Sequence, residues 1–230
     1  MPGPLRPFKY PHRRYCGRMP LYALRPGRSW RENYAALYIA SLYKGDLKGV
    51  YYIPSLRLYA PVFEVKELPP AHEWAFMEVR VSQLNRAYRM VCMECGACCA
   101  RNSGAFAFAH ELTAEERASL EPEVIRAPRV GDILLYWLDR GPAGRCVFFD
   151  ERGKCVLGDR KPVACLVYYC SLFAERGGKL YVKVAVRRDG TPVYRAASRT
   201  EAKRLARRLR ARALAFVRRR GEQDKPPGEG

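Results

Sequence analysis

Four cysteines fall within eight residues: Cys92, Cys95, Cys98 and Cys99. Thiolates with two residues between them on a turn can converge on one soft metal ion or one cluster face, which is why such units recur in zinc and iron–sulfur sites. Gly96 suits that role, because a tight ligand loop needs positive φ and backbone amides aimed at sulfur. Cys146, Cys155, Cys165 and Cys170 follow and can complete a ligand set from distant segments. Cys98 and Cys99 are adjacent; consecutive side chains diverge, so the spacing predicts that they do not serve one ion in the same way. Eight thiols suffice for one four-iron cluster plus a zinc, for two zinc sites, or for one site with spare thiols. Both metals accept four thiolates, and an iron–sulfur cluster of the 4Fe–4S type is the preferred reading, with zinc as its rival. A third reading has the cysteines as disulfides of a thermophile, because only five residues of the chain are Asn or Gln and hyperthermophile cytosols tolerate disulfides. Cys16 stands apart as a spectator thiol, and His12, His72 and His110 are too scattered to form a site. Glu94, Asp150, Glu151 and Asp159 lie near the cysteines as acid–base candidates, but turn carboxylates are common and no catalytic residue follows from the pattern.

The elements that must position these thiols are short. Leu112-Thr113-Ala114-Glu115-Glu116 is a helix start with a capping box between Thr113 and Glu116. Ile133–Leu138 and Arg145–Phe149 read as strands around a Gly/Pro turn, so Cys146 and Cys155 flank a hairpin. Pro162–Phe173 suits a helix carrying Cys165 and Cys170. Before the cysteines, Asn33–Tyr43 and Glu73–Met90 fit helix or strand. Val50–Ile53, Leu56–Ala60 and Val62–Lys66 read as short strands separated by Pro54 and Pro61. After the cysteines, Leu180–Val186 is a strand leading through Asp189-Gly190 to Val193-Tyr194. Ala202, Leu205, Leu209, Ala213 and Phe216 then recur at helical spacing within Thr200–Arg219.

The chain has 230 residues, 42 Lys+Arg against 23 Asp+Glu and a formal charge of +19. Apolar residues make up 48%, enough for a packed core. The charge gathers at the ends: residues 191–230 carry 12 basic and 4 acidic side chains, net +8, whereas residues 86–190 carry 17 and 13, net +4. Residues 1–31 hold eight Lys/Arg and no acid, interleaved with aromatic residues and prolines. A field of this strength implies an anionic partner. Glu201 is the one acid between Arg195 and Arg220, so Arg204, Arg207, Arg208, Arg210 and Arg212 read as contacts to RNA, DNA or another polyanion without sequence readout. No uncharged run reaches the ~20 residues that a spanning helix needs, and prolines interrupt the basic N-terminus where a signal peptide would be apolar. The expected location is cytoplasmic.

Taken together, Cys92, Cys95, Gly96, Cys98 and Cys99, then Leu112, Thr113 and Glu116, then Cys146, Phe148 and Phe149, then Cys155, then Lys161, Pro162 and Cys165 resemble the CxxCxxCC cysteine-cluster family. It is also called the YkgJ-like or zinc- or iron-chelating domain family. The resemblance covers about residues 88–172. Lys161 stands where the family usually has arginine, with Arg160 beside it, and Leu166, Val167, Tyr168 and Tyr169 replace the family's Arg-aromatic-Pro after the last shared cysteine. The resemblance implies a chelated metal. A flagellin lysine methylase is similar, which adds S-adenosylmethionine and methyl transfer as weaker implications; no glycine loop for a nucleotide supports them.

The resulting expectation is an α+β fold: a small cysteine-rich, metal-centred domain of short strands and helices, with a basic N-terminal extension and a basic C-terminal helix. Residues 1–31 read as a basic arm, 32–87 as a β-rich extension, 88–195 as the cysteine-cluster domain, 196–220 as the basic helix and 221–230 as a disordered tail. Two functions remain open. The metal centre is itself functional, with redox or methyl-transfer chemistry. Alternatively zinc only staples the fold, and the basic ends contact RNA or a ribonucleoprotein.

Overall fold

In the computed structural model, which describes residues 20–53, 58–79, 89–101, 104–139, 141, 144–169, 172–188 and 192–223, helices and short antiparallel strands mix as the α+β expectation requires. Cys16, Cys170, His12 and the Asp189-Gly190 turn lie outside the described residues, as does most of the C-terminal tail.

The first sheet has the order β2-β3-β1-β4, formed by β1 (Leu21–Leu24), β2 (Leu47–Ile53), β3 (Leu58–Glu64) and β4 (Phe76–Val79). Part of the segment read as an arm is therefore a strand inside a sheet, pairing Leu21 with Glu64 on one side and with Val79 on the other. Pro61 does not end β3 as the sequence suggested. Pairing with β1 runs from Val62 to Glu64, so Pro61 meets only Val50 of β2, and a missing N–H is tolerated where one neighbour is absent. Helix α1 (Trp30–Ser41) settles the ambiguity of the Asn33–Tyr43 stretch. Ser29 caps it by accepting from the Glu32 amide, and Ala35, Ala36, Leu37, Ile39 and Ala40 are buried, a helical rather than an alternating pattern.

A second sheet, β6-β8-β7, joins β6 (Phe106–Phe108), β7 (Pro122–Ala127) and β8 (Gly131–Trp137). Between β6 and β7, α2 (Ala114–Ala118) carries the expected Thr113–Glu116 capping box. The third sheet, β11-β10-β9-β5, comprises β5 (Arg89–Met90), β9 (Phe173–Arg176), β10 (Lys179–Val186) and β11 (Pro192–Ala197). Gly177 and Gly178, at φ +54° and +74°, form the two-residue turn between Arg176 and Lys179, a conformation that glycine adopts without strain. The predicted strand Arg145–Phe149 is not a strand. Its segment turns tightly, and only Phe149 bridges to Cys155. The predicted helix Pro162–Phe173 shrinks to one turn that widens into a π-helical stretch at Cys165–Tyr169, and Phe173 opens β9 instead.

Helix α3 (Arg199–Gln223) lies across the cysteine-bearing segments. Ala202 and Ala206 pack with Cys95, Phe173 and Val182, while Ala213 packs with Cys146, Phe148 and Phe149. Among the described residues, no helix is long and apolar enough to cross a membrane.

Candidate metal centre

The cysteine loop is shaped by two positive φ angles that flank Cys95, +51° at Glu94 and +70° at Gly96. Glu94 is not a residue that adopts this region freely, and its conformation is held from outside. Arg210 of α3 donates from Nε and Nη2 to the Glu94 carbonyl oxygen at 2.9 and 2.8 Å. Gly96 has no room for a side chain, because a Cβ there would sit 2.7 Å from the Phe149 ring and 3.3 Å from Ala213 Cβ. Gly153, at φ +75°, is constrained in the same way by the Arg210 stem, 2.6 Å from a notional Cβ. The Glu94 amide donates to Cys92 Sγ at 3.4 Å, the N–H···S contact that ligand loops use.

Around this loop the seven described cysteines line two small adjoining cavities. One, of about 40 Å³, is bounded by Cys92, Cys95, Cys98, Cys99 and Cys155, with Phe149 and Gly153. The other, of about 30 Å³, is bounded by Cys92, Cys98, Cys99, Cys146, Cys155 and Cys165, with Lys161. Cys92, Cys98, Cys99 and Cys155 face both. Cys98 and Cys99 do not diverge: their sulfurs are 3.8 Å apart, close to the ~3.8 Å edge of a tetrahedron with ~2.3 Å metal–sulfur bonds. All seven are free thiols, so no disulfide joins any of them. Among the described residues, no three His, Cys, Asp or Glu side chains are already spaced to hold one ion. The sulfurs line walls and would have to draw inward on a metal.

Residues 91–186 match the model of the CxxCxxCC family, described as a putative zinc- or iron-chelating domain. The matched segment, 96 of the 230 residues, contains all seven cysteines that line the two cavities. No curated protein and no solved structure matches the chain. The donor set agrees with the family's description, because converging thiols bind zinc or iron. Burial and mutual contact push five of these thiols up. A hydrogen bond with Cys99, then burial, raises Cys98; a hydrogen bond with Cys146 comes first for Cys99; burial dominates for Cys95, Cys155 and Cys165. A thiol must lose its proton to ligate, so a cation here acts against that cost and also supplies the charge that the site lacks.

Protein charge near the CxxCxxCC thiols comes from Lys161, only 8% exposed, which donates to the Gly158 carbonyl at 2.6 Å. Burial alone lowers an ammonium's pKa, but the neighbouring Cys92 and Cys155 outweigh it and raise the value. The adjacent Arg160 has a different task. It forms a two-pronged pair with Glu116, the capping-box residue of α2, and so ties together two motifs 44 residues apart. Glu111 was missed in the sequence. Its side chain is fully buried, and its carboxylate accepts from the Val163 amide at 2.7 Å and the Phe108 amide at 3.1 Å, with Lys44 Nζ 3.6 Å away. It anchors the chain two residues before Cys165. Its only sequence signal was a glutamate directly before the Leu-Thr-x-x-Glu helix start.

The other candidates are placed elsewhere. His72 Nδ1 is 2.7 Å from the Tyr43 hydroxyl and His110 Nε2 is 2.8 Å from Ser41 Oγ, and neither lines the thiol cavities. Asp150 accepts from the Lys154 amide in a turn, and Glu151 and Asp159 are exposed. Of the five arginines read as polyanion contacts, Arg204, Arg207, Arg208 and Arg212 are exposed, whereas Arg210 turns inward to the Glu94 carbonyl.

Proposed function

We propose that this chain is an iron–sulfur protein whose cluster is held by thiolates drawn from Cys92, Cys95, Cys98, Cys99, Cys146, Cys155 and Cys165. The observation that carries this is the ligand count. Seven thiols surround two adjoining cavities and four of them face both, whereas a single tetrahedral zinc takes four ligands. A four-iron cluster also takes four thiolates, so the surplus speaks for more than one metal ion, and two adjoining cavities that share four sulfurs suit a polynuclear centre better than a lone zinc. Such a cluster supplies one-electron redox chemistry. The chain's part is to bury it, aim amides at sulfur and place Lys161 beside it. Methyl transfer from S-adenosylmethionine is less well supported, because no glycine-rich nucleotide loop accompanies the thiols in the sequence.

The test is anaerobic purification of the untagged chain, with a visible spectrum and elemental analysis on one sample. Brown protein with about four irons and acid-labile sulfide supports the cluster. Colourless protein with stoichiometric zinc overturns it in favour of a structural staple.

A second reading concerns α3 and is independent of the metal. Lys203, Arg204, Arg207, Arg208, Arg212, Arg218, Arg219 and Arg220 are all exposed along one helix whose buried seam is mostly alanine. Self-repulsion of this kind is relieved by a polyanion, and RNA is the partner we infer. RNA affinity should fall steeply between low and physiological salt; salt-insensitive binding, or none, overturns this reading.

A further inference from the structure

A second cleft, of about 230 Å³, opens where the N-terminal sheet, the start of α1 and the β7–β8 turn meet. No cysteine lines it. Its walls are Arg25, Arg28, Glu32, Trp74 and Arg129, with backbone from Pro26, Gly27 and Pro128.

Two of the guanidinium groups come from the loop between β1 and α1 and the third from the β7–β8 turn, and two of the three are held in place. Arg25 donates from Nε and Nη2 to the Phe76 carbonyl at 3.3 and 3.1 Å, at the start of β4. Arg129 lies over the Trp74 ring, 5.3 Å from its centroid. The Arg28 side chain is exposed on the loop before α1. That loop is rigidly built: Asn33 Oδ1 accepts from the Gly27 amide at 2.8 Å and Glu32 Oε2 from the Arg28 amide at 2.5 Å. Gly27 is obligatory, since a Cβ there would fall 2.5 Å from Glu32 Cβ.

Arg129 is also strained. Its φ is +68°, in the left-handed region where glycine or asparagine is favoured and a long side chain is not. An arginine kept at such a position is accounted for by what its side chain does, and here it reaches an indole face at the mouth of a basic cleft. Three guanidinium groups against the single Glu32 carboxylate leave a local excess of two positive charges. A phosphomonoester carries about −1.5 to −2 at neutral pH and matches that excess, whereas a phosphodiester carries one charge. Arginine forks suit phosphate oxygens bidentately.

We propose that the cleft bounded by Arg25, Arg28, Arg129 and Trp74 is a binding site for a terminal phosphate group, carried either by a free nucleotide-sized phosphate ester or by the phosphorylated end of a polynucleotide.

The experiment is calorimetric titration of the metal-loaded full chain with adenosine monophosphate, with adenosine, and with one oligonucleotide bearing either a 5′-phosphate or a 5′-hydroxyl. Adenosine monophosphate should bind and adenosine should not. Arg28→Ala and Arg129→Gly should each weaken binding about tenfold or more, as loss of a charge-assisted phosphate contact does. Arg129→Gly accepts φ +68° without strain, so its melting temperature should not fall, which separates lost binding from lost fold. If only the 5′-phosphorylated oligonucleotide binds, and Arg129→Gly weakens it, the site stands and the source is a polynucleotide end. If adenosine monophosphate binds while the 5′-phosphate and 5′-hydroxyl oligonucleotides bind equally, the site stands and the source is a free phosphate ester. The proposal is overturned if neither adenosine monophosphate nor the 5′-phosphorylated oligonucleotide binds more tightly than its unphosphorylated counterpart, or if Arg28→Ala and Arg129→Gly bind as the parent chain does.

Discussion

The N-terminal core and the cysteine core of this chain differ in what their helices pack against. Around α1 the buried contacts are between rings: Phe63 with Phe76, Tyr22 with Phe76, Tyr34 with Phe106, and Tyr38 with Phe108. Under α3 the helix offers small groups, Ala202, Ala206 and Ala213, which sit against Cys95, Cys146 and the rings of Phe148, Phe149 and Phe173. A buried aromatic ring contributes several kcal/mol by its area alone, whereas an alanine contributes little. The first core can therefore stand on packing. The second brings backbones close, through Gly96 and Gly153, and leaves sulfur-lined space that packing does not fill. This contrast predicts that the cysteine core draws stability from a bound metal, with α3 serving it as a lid as well as a basic surface.

Metal removal should separate the two cores most sharply. Metal at thiolate sites of this kind contributes on the order of 10 kcal/mol to folding. In the chelated chain, amide exchange should be fast in 92–101, 146–165 and α3, and should stay slow in α1 and in β1, β3 and β4. Equal loss of protection in both regions would mean that they fold as one unit and that the contrast is only compositional.

Next in size is a matched pair of substitutions. Gly96→Ala forces φ +70° on alanine and drives a methyl to 2.7 Å from the Phe149 ring. Left-handed strain and overpacking together predict a cost of about 2–5 kcal/mol, seen as lost metal content. Phe76→Ala removes a fully buried ring and should cost about 3–5 kcal/mol of global stability. The protein that remains folded should nevertheless carry full metal. A Phe76→Ala protein with a depleted site would show that the aromatic core also shapes the ligand loop.

The two regions were also unequally legible. The thiol constellation could be read because cysteine type and spacing are themselves the chemistry, and the Thr113–Glu116 box could be read because capping is local. Strands β6 and β7 were missed. Proline at the start of β7, Pro122, is tolerated because the strand lies at a sheet edge, and Phe106–Phe108 is too short and too uniformly buried to alternate. Arg145–Phe149 and Pro162–Phe173 looked regular by composition. Both instead bend around the thiols, where ligand placement overrides propensity and a π-helical turn presents Cys165. Glu111 and Arg210 act through contacts 52 and 116 residues away, and the position of Glu111 directly before a helix start says nothing of such a contact.

Arg210 tests whether α3 supports the cysteine core directly. Arg210→Met keeps much of the apolar stem but removes both hydrogen bonds to the Glu94 carbonyl. The expected cost is about 1–3 kcal/mol, the range for hydrogen bonds made by a charged group, measured as faster metal loss to a chelator competitor. The exposed neighbour Arg207→Met should leave metal loss unchanged while weakening any RNA contact. If both variants lose metal at the parent rate, α3 is a surface element and the loop holds its own shape.

The smallest effect expected lies where the two cores meet, at His110. Its ring stacks on Phe108 and meets Tyr38 edge-on, and Nε2 is 2.8 Å from Ser41 Oγ. Burial, and then the nearby Lys44, lower its pKa below the ordinary histidine value. With the folded value depressed, the unfolded chain binds the proton more readily. Stability from the neutral ring is therefore fully present above the unfolded pKa of about 6.5, and is lost as pH falls toward the folded value. Melting curves between pH 7.5 and 5.5 should show a decline that His110→Gln removes. The α1 core should be where that decline registers, because Ser41 and Tyr38 belong to α1. An identical pH profile in the variant would place the acid sensitivity in the thiol region instead, and would weaken the view that the aromatic core stands on its own.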